Sequence, residues 1–152
     1  MDTTALRRRV YDRIIEDAEV PTLAELARTF ETTPDDVATA VREARLGKTL
    51  VPDSATGEVW MAGPFAARPT PYRVRAGGRA WWANCAWDML GVANLVATPG
   101  APALLEAACT DCGAPMPMRV DAGAAHVEGA PRDAVIHFVV PARRWYDDIG
   151  FT

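Results

Sequence analysis

Residues Arg79–Leu90 read RAWWANCAWDML, and the reading of this stretch decides the rest of the fold. It holds one cysteine, Cys85, a carboxylate three residues on, Asp88, and the tryptophans Trp81, Trp82 and Trp87. Continued through "GVAN", its apolar residues recur at helical spacing and almost encircle the axis. That pattern predicts a buried helix over residues 81–92. In such a helix Cys85 and Asp88 stand at i and i+3, on one face, and both can touch a single atom. The aromatic surroundings exclude water. Burial raises a carboxyl pKa, so Asp88 is expected to hold a proton near neutral pH. Burial raises a thiol pKa as well, and a helix N-terminus or a metal offsets it. Cys85 falls within the first two turns, where the dipole helps. A thiolate there prefers soft metal ions. The plain alternative is a small apolar filler at Cys85, with Asp88 bonded to a backbone amide or to Arg79.

Working outward, "TPYRVRAGG" predicts a strand over Tyr72–Arg75 and a turn at Gly77-Gly78. "APALLEAACTDCGAPMPMRVDAG" reads as strand, turn, strand, with "TDCG" as the turn. "AAHVEGA" and "DAVIHFVVP" predict two more short strands. The sum is a small mixed or antiparallel sheet with one buried helix. The turn carries Cys109 and Cys112, a C-x-x-C that could chelate a metal ion or form a redox pair. A structural zinc site needs four ligands, and a second C-x-x-C is absent. His126 and His137 match no standard finger spacing. A thioredoxin-like reading requires the motif to open a helix after a strand, and here it does not.

The first third of the chain predicts three helices. "TTALRRRVYDRIIEDAEV" sets Leu6, Val10, Ile14 and Ala18 on one stripe. Thr22 and Glu25 form a capping box before "LAELARTF". Thr33, Pro34 and Asp36 open "PDDVATAVREARL", with Gly47 as its stop. "TLV" and "EVWMA" then form a hairpin around "PDSATG". Three helices and a hairpin make a winged helix-turn-helix arrangement. Its DNA-binding reading rests on Arg42 and Arg45 in the third helix and on the run Arg7, Arg8, Arg9. Asp35, Asp36 and Glu43 oppose it, because phosphate contacts need a basic surface. The other reading is a packing module.

The composition agrees with these limits. The chain has 152 residues, 49% of them hydrophobic, and a net charge of -4. That fits one domain or two very small ones. It gives no electrostatic reason to bind nucleic acid. Three cysteines, an odd number, with no leader pattern point to free thiols and a cytoplasmic setting. No apolar run approaches the ~20 residues of a membrane span. The expected organisation is a winged-helix-like region over 1–66 and a catalytic region over 67–152.

The segment "TPYRVRAGGRAWWANCAWDML" resembles the organomercurial lyase (alkylmercury lyase) family. That family has a threonine-proline and a short strand before its catalytic helix, and then an aromatic and a Cys-Ala-x-Asp core. Here the core stands as Cys85, Ala86, Trp87 and Asp88. The leading helices and hairpin, "AACTDCGAPMPMRV", "VIHFVVP" and "RRWYDDIGF" also resemble parts of the family, so the similarity runs over nearly the whole chain. The resemblance implies an α+β fold and protonolysis of a carbon–mercury bond. Cys85 is implied as the thiolate that takes mercury and Asp88 as the proton carrier. A second thiolate weakens the Hg–C bond, and the hydrocarbon leaves. Mercury is substrate and product, held by Cys85 and Asp88. Small thiols remove the product, and no resident cofactor is implied. Cys109 matches a cysteine of the family's fold. Cys112 is an addition, and either could lend a second sulfur if the fold brings it to Cys85. The family's second catalytic cysteine follows the closing strand in an F-C or F-T-C context. This sequence ends "WYDDIGFT", so the catalytic region is expected to continue past Thr152 or to work without that thiol. The alternatives are a winged-helix regulator or metal sensor, and a binding protein of lyase fold without the chemistry. The oligomeric state is left open.

Overall fold

Three helices open the chain in this computed structural model, which describes residues 1–46, 48–124 and 126–149. In α1 (Thr3–Asp17) the Asp2 carboxylate accepts the Thr4 amide at 2.8 Å, satisfying one of the orphan donors of a helix start. Leu6, Val10 and Ile14 form its buried stripe. Ala18, partly buried against the same core, ends the helix in the left-handed conformation, φ 61°. Before α2 (Leu23–Thr29), Thr22 and Glu25 exchange the two hydrogen bonds of a capping box. Before α3 (Pro34–Leu46), the Thr33 hydroxyl accepts the Asp36 amide and donates to the Asp36 carboxylate. Gly47, the expected stop, lies outside the described residues.

Seven strands follow: β1 (Leu50–Pro52), β2 (Val59–Ala62), β3 (Phe65–Ala66), β4 (Arg73–Ala76), β5 (Arg79–Ala83), β6 (Ala103–Ala108) and β7 (Pro115–Val120). Helix α4 (Ala86–Val96) stands between β5 and β6. The strands form one sheet in the order β1-β2-β3-β5-β4-β6-β7, and every pairing is antiparallel. The hairpin expected from "TLV" and "EVWMA" is β1–β2. Its loop is organised by Asp53, whose carboxylate accepts the Ala55 and Thr56 amides and pairs with Arg68. With the Thr56 amide as the largest contributor, these partners pull the Asp53 pKa down to about 2.

The sequence reading needs three corrections here. Trp81 and Trp82 belong to β5, not to a helix. Gly77 and Gly78 both have positive φ, 54° and 80°. That is the backbone a two-residue hairpin turn requires, and it folds β5 back onto β4. Trp81 and Ala83 then point into the core while Arg79 stays exposed, the period of a strand. Second, α4 is not apolar all round in effect. Met89, Val92, Ala93 and Val96 are buried, but Trp87 is 57% exposed and Leu95 52%. Third, "AAHVEGA" and "DAVIHFVVP" form no strands among the described residues. Glu128 makes only an isolated bridge to Arg119 beside β7. Val135 and Val139 face outward, while Phe138 packs on Trp145 and Trp87. Aromatic docking onto α4, not pairing along the sheet edge, holds that segment.

β3, unforeseen in the sequence, joins β2 to β5, so the sheet runs unbroken across residue 66. One apolar cluster likewise takes Leu6, Val10 and Leu26 from the helices, Val74 and Leu105 from the sheet, and Met89 and Val92 from α4. Among the described residues no helix is long and apolar enough to cross a membrane.

Candidate active site

The end of β5 is held in place by Thr70. Its hydroxyl donates to the Ala83 carbonyl at 2.7 Å and accepts the Tyr72 amide at 3.2 Å. The next residue, Asn84, donates its amide to the Pro64 carbonyl at 3.2 Å. The chain then turns into α4 at Cys85, which is the N-cap residue in extended conformation, φ -149° and ψ 177°. Ser, Thr, Asp or Asn usually fills this position, because a side-chain acceptor must meet an orphan amide. Here the acceptor is sulfur: Cys85 Sγ receives the Asp88 amide at 3.3 Å. The thiol therefore sits at the positive end of the helix dipole.

Cys85 and Asp88 do share one face, though not in the expected frame. They stand at N-cap and N3 of a helix that begins at Ala86, not within its turns. Burial is the main influence on both. It pushes the Asp88 carboxyl above the ordinary carboxylate range, against hydrogen bonds from the Cys85 and Asn84 side chains. It also pushes the Cys85 thiol up, opposed by the Asp88 amide and assisted by the Asp88 charge. Burial thus disfavours the charged form of both groups. A thiophilic cation reverses the thiol's preference, since metal coordination deprotonates a thiol outright.

Two further elements close on this corner. Tyr11 of α1 donates to the Gly63 carbonyl at 2.6 Å. Its phenol is raised chiefly by burial, lowered by Arg7, and raised again by the charges of Tyr146 and Asp88, which places it in their field. Pro64 packs against Gly91, where a Cβ would lie 3.6 Å from the proline ring. Beyond β7, Phe138 meets Trp87 edge-on at 6.4 Å and Trp145 at 5.1 Å. Tyr146 donates to the Lys48 carbonyl at 3.0 Å, and the Lys48 ammonium lies 4.7 Å from the Tyr146 ring. The C-terminal segment thereby lies across the first turn of α4.

Cys109 and Cys112 are elsewhere, in the β6–β7 turn. Among the described residues no group of three or more His, Cys, Asp and Glu side chains could hold a metal ion. Neither cysteine therefore completes a three-ligand set with Cys85 and Asp88, and His126 and His137 complete none with Cys109 and Cys112. Tyr11, Asn84 and Tyr146 escaped the sequence reading. Asn84 directly precedes Cys85 and could have been found by asking what holds the carboxyl. Tyr11 and Tyr146 reach the site only through the tertiary fold.

Residues 65–151, from β3 through both thiol features, match the alkylmercury lyase family, MerB. The chain belongs to that family. This organomercurial lyase-like protein is also similar to a solved structure, the mercury-bound form of MerB2. The TM-score is 0.64 at 20% identity, over 87% of this chain and 61% of that one. At that identity the likeness shows the fold. The lyase-like chain spans 61% of the length of that solved relative. Comparison with curated protein sequences finds no match.

Proposed function

We propose that the protein captures an organomercurial at Cys85 and breaks its carbon–mercury bond by proton transfer through Asp88. The observation that carries this is the thiol at the N-cap of α4 with a protonatable, desolvated carboxyl at N3, in hydrogen-bonding contact with it. The substrate class is R–Hg–SR′, the form an alkylmercury ion takes among small thiols. Cys85 sulfur adds to mercury, and its proton passes to the Asp88 carboxylate. Mercury then carries two sulfurs and a weakened bond to carbon. Asp88 delivers the proton to that carbon, and RH leaves. One S–H and one C–Hg bond break; one S–Hg and one C–H bond form. The substrate's own thiolate supplies the second sulfur. Mercury is substrate and product, and no resident cofactor takes part. The free thiols suit a reducing, cytoplasmic setting.

Partial burial of the pair strengthens the charge interactions within it. The test is a crystal soak with methylmercury alongside single-turnover release of methane in excess thiol. Mercury on Cys85, and methane from the wild type but not from Cys85→Ser, are the expected results. Mercury absent from Cys85, or methane undiminished in Cys85→Ser, refutes the proposal.

A further inference from the structure

The β6–β7 hairpin carries a second thiol site. Its turn reads Cys109-Thr110-Asp111-Cys112-Gly113-Ala114. The Cys109 amide donates to the Ala114 carbonyl and the Gly113 amide to the Cys109 carbonyl, both at 2.9 Å. Gly113 has φ +72°, which closes the turn where a side chain would be strained. A five-residue turn of this kind winds like one turn of helix, so its first and fourth side chains emerge on one side. Those two are the cysteines. The backbone amides of Cys112 and Asp111, with the Cys112 side chain, hold the Cys109 thiol below its ordinary range. Cys112 is exposed and Cys109 half-buried, and both are free thiols, so an ion can reach them.

We propose that Cys109 and Cys112 form a two-coordinate dithiolate site for Hg²⁺, separate from Cys85, that takes up the product ion. The number of donors argues against zinc. A zinc ion held by protein alone needs four ligands, and among the described residues no third His, Cys, Asp or Glu joins this pair. Hg²⁺ is satisfied by two soft sulfurs. As an acceptor of product the site rests on the function proposed above; as a binder of Hg²⁺ it does not. Its placement suits the transfer. Trp82 of β5 and Glu106 of β6 both pair with Arg73 of β4, one on each side. They lie two strand spacings, ~10 Å, apart. Cys85 follows Trp82 by three residues and Cys109 follows Glu106 by three, so both leave the same end of the sheet. In the exchange the two hairpin thiols form two S–Hg bonds. The bonds from mercury to Cys85 and to the small thiol break, and the two protons released go to those departing sulfurs.

The test uses inorganic Hg²⁺ and the Cys85→Ser chain, which removes the lyase chemistry from the readout. Binding is followed by the sulfur-to-mercury charge-transfer absorption in competition with 2-mercaptoethanol. The expected result is one Hg²⁺ per chain, held at least ~100-fold more tightly than by Cys85→Ser/Cys112→Ser, the gain of making the second bond intramolecular. Replacement of Cys109 instead of Cys112 gives the same loss. Equal affinity in the single-thiol variants, or one Hg²⁺ bridging two chains, overturns the proposal. Failure of methane release in the wild type leaves this result untouched, so the two readings fail separately.

Discussion

The proposed chemistry turns on Asp88. Burial holds its carboxyl above the ordinary range, so the folded state binds the proton more tightly than the unfolded chain does. The stability linked to that proton is fully present below the ordinary carboxylate range and is lost as pH rises through the raised value. Asp88→Asn removes the penalty of an ionised group in this corner. The variant should therefore be more stable than the wild type at neutral pH, by a margin that shrinks toward acid; urea midpoints across pH measure it. A margin that does not change with pH would show that Asp88 is not desolvated. The pairing of Cys85 with Asp88 was legible from spacing alone, although the helix was expected to start five residues early. It survived because N-cap and N3 meet as directly as i and i+3 within a helix. Tyr11 was not legible, since nothing local in sequence marks a residue that arrives through Gly63.

Among the elements, β5 has the most to teach. Its tryptophans fit a helical pattern as well as a strand pattern, and short apolar runs are ambiguous in this way. The decision came from Gly77 and Gly78, which make the turn, and from β3 and β4 on either side, which supply the pairing. Trp81 also ties two elements together: its Nε1 donates to the Ile14 carbonyl at 2.6 Å, near the end of α1. Trp81→Phe keeps most of the apolar volume and loses that bond. It should lower stability by about 1–2 kcal/mol in chemical denaturation, the worth of one buried hydrogen bond plus a small void. No loss would mean the bond is made as well by water. The helix caps at Thr22 and Thr33 were fully legible, because a capping box is a local pattern that the fold has no reason to override.

At the scale of the whole molecule, the hairpin and the strand that leads into Cys85 share one sheet, and the three helices join them in one apolar cluster. Unfolding should be a single cooperative transition, with tryptophan fluorescence and far-ultraviolet circular dichroism coinciding in urea. Separate midpoints would show that the regions on either side of residue 66 unfold independently. The leading helices put Asp35 and Asp36 in the first turn of α3. With a net charge of -4, the protein is expected to show no salt-dependent DNA binding at physiological ionic strength. Nanomolar binding with a steep salt slope would contradict this. Which residue the C-terminal aromatics would meet was beyond the sequence, since Phe138 finds Trp87 only after the sheet has placed α4, and Trp145 packs on Phe138.

The central claim is that Cys85 captures mercury while Asp88 moves the proton, and single-turnover chemistry of Asp88→Asn separates the two steps. An amide cannot relay a proton near neutral pH. With methylmercury and excess thiol, the variant should still take mercury onto Cys85, read as retained mercury after desalting. Its methane release should fall by roughly 10²–10⁴-fold, the range for losing a positioned acid–base group. Methane released by Asp88→Asn at the wild-type rate would contradict the account.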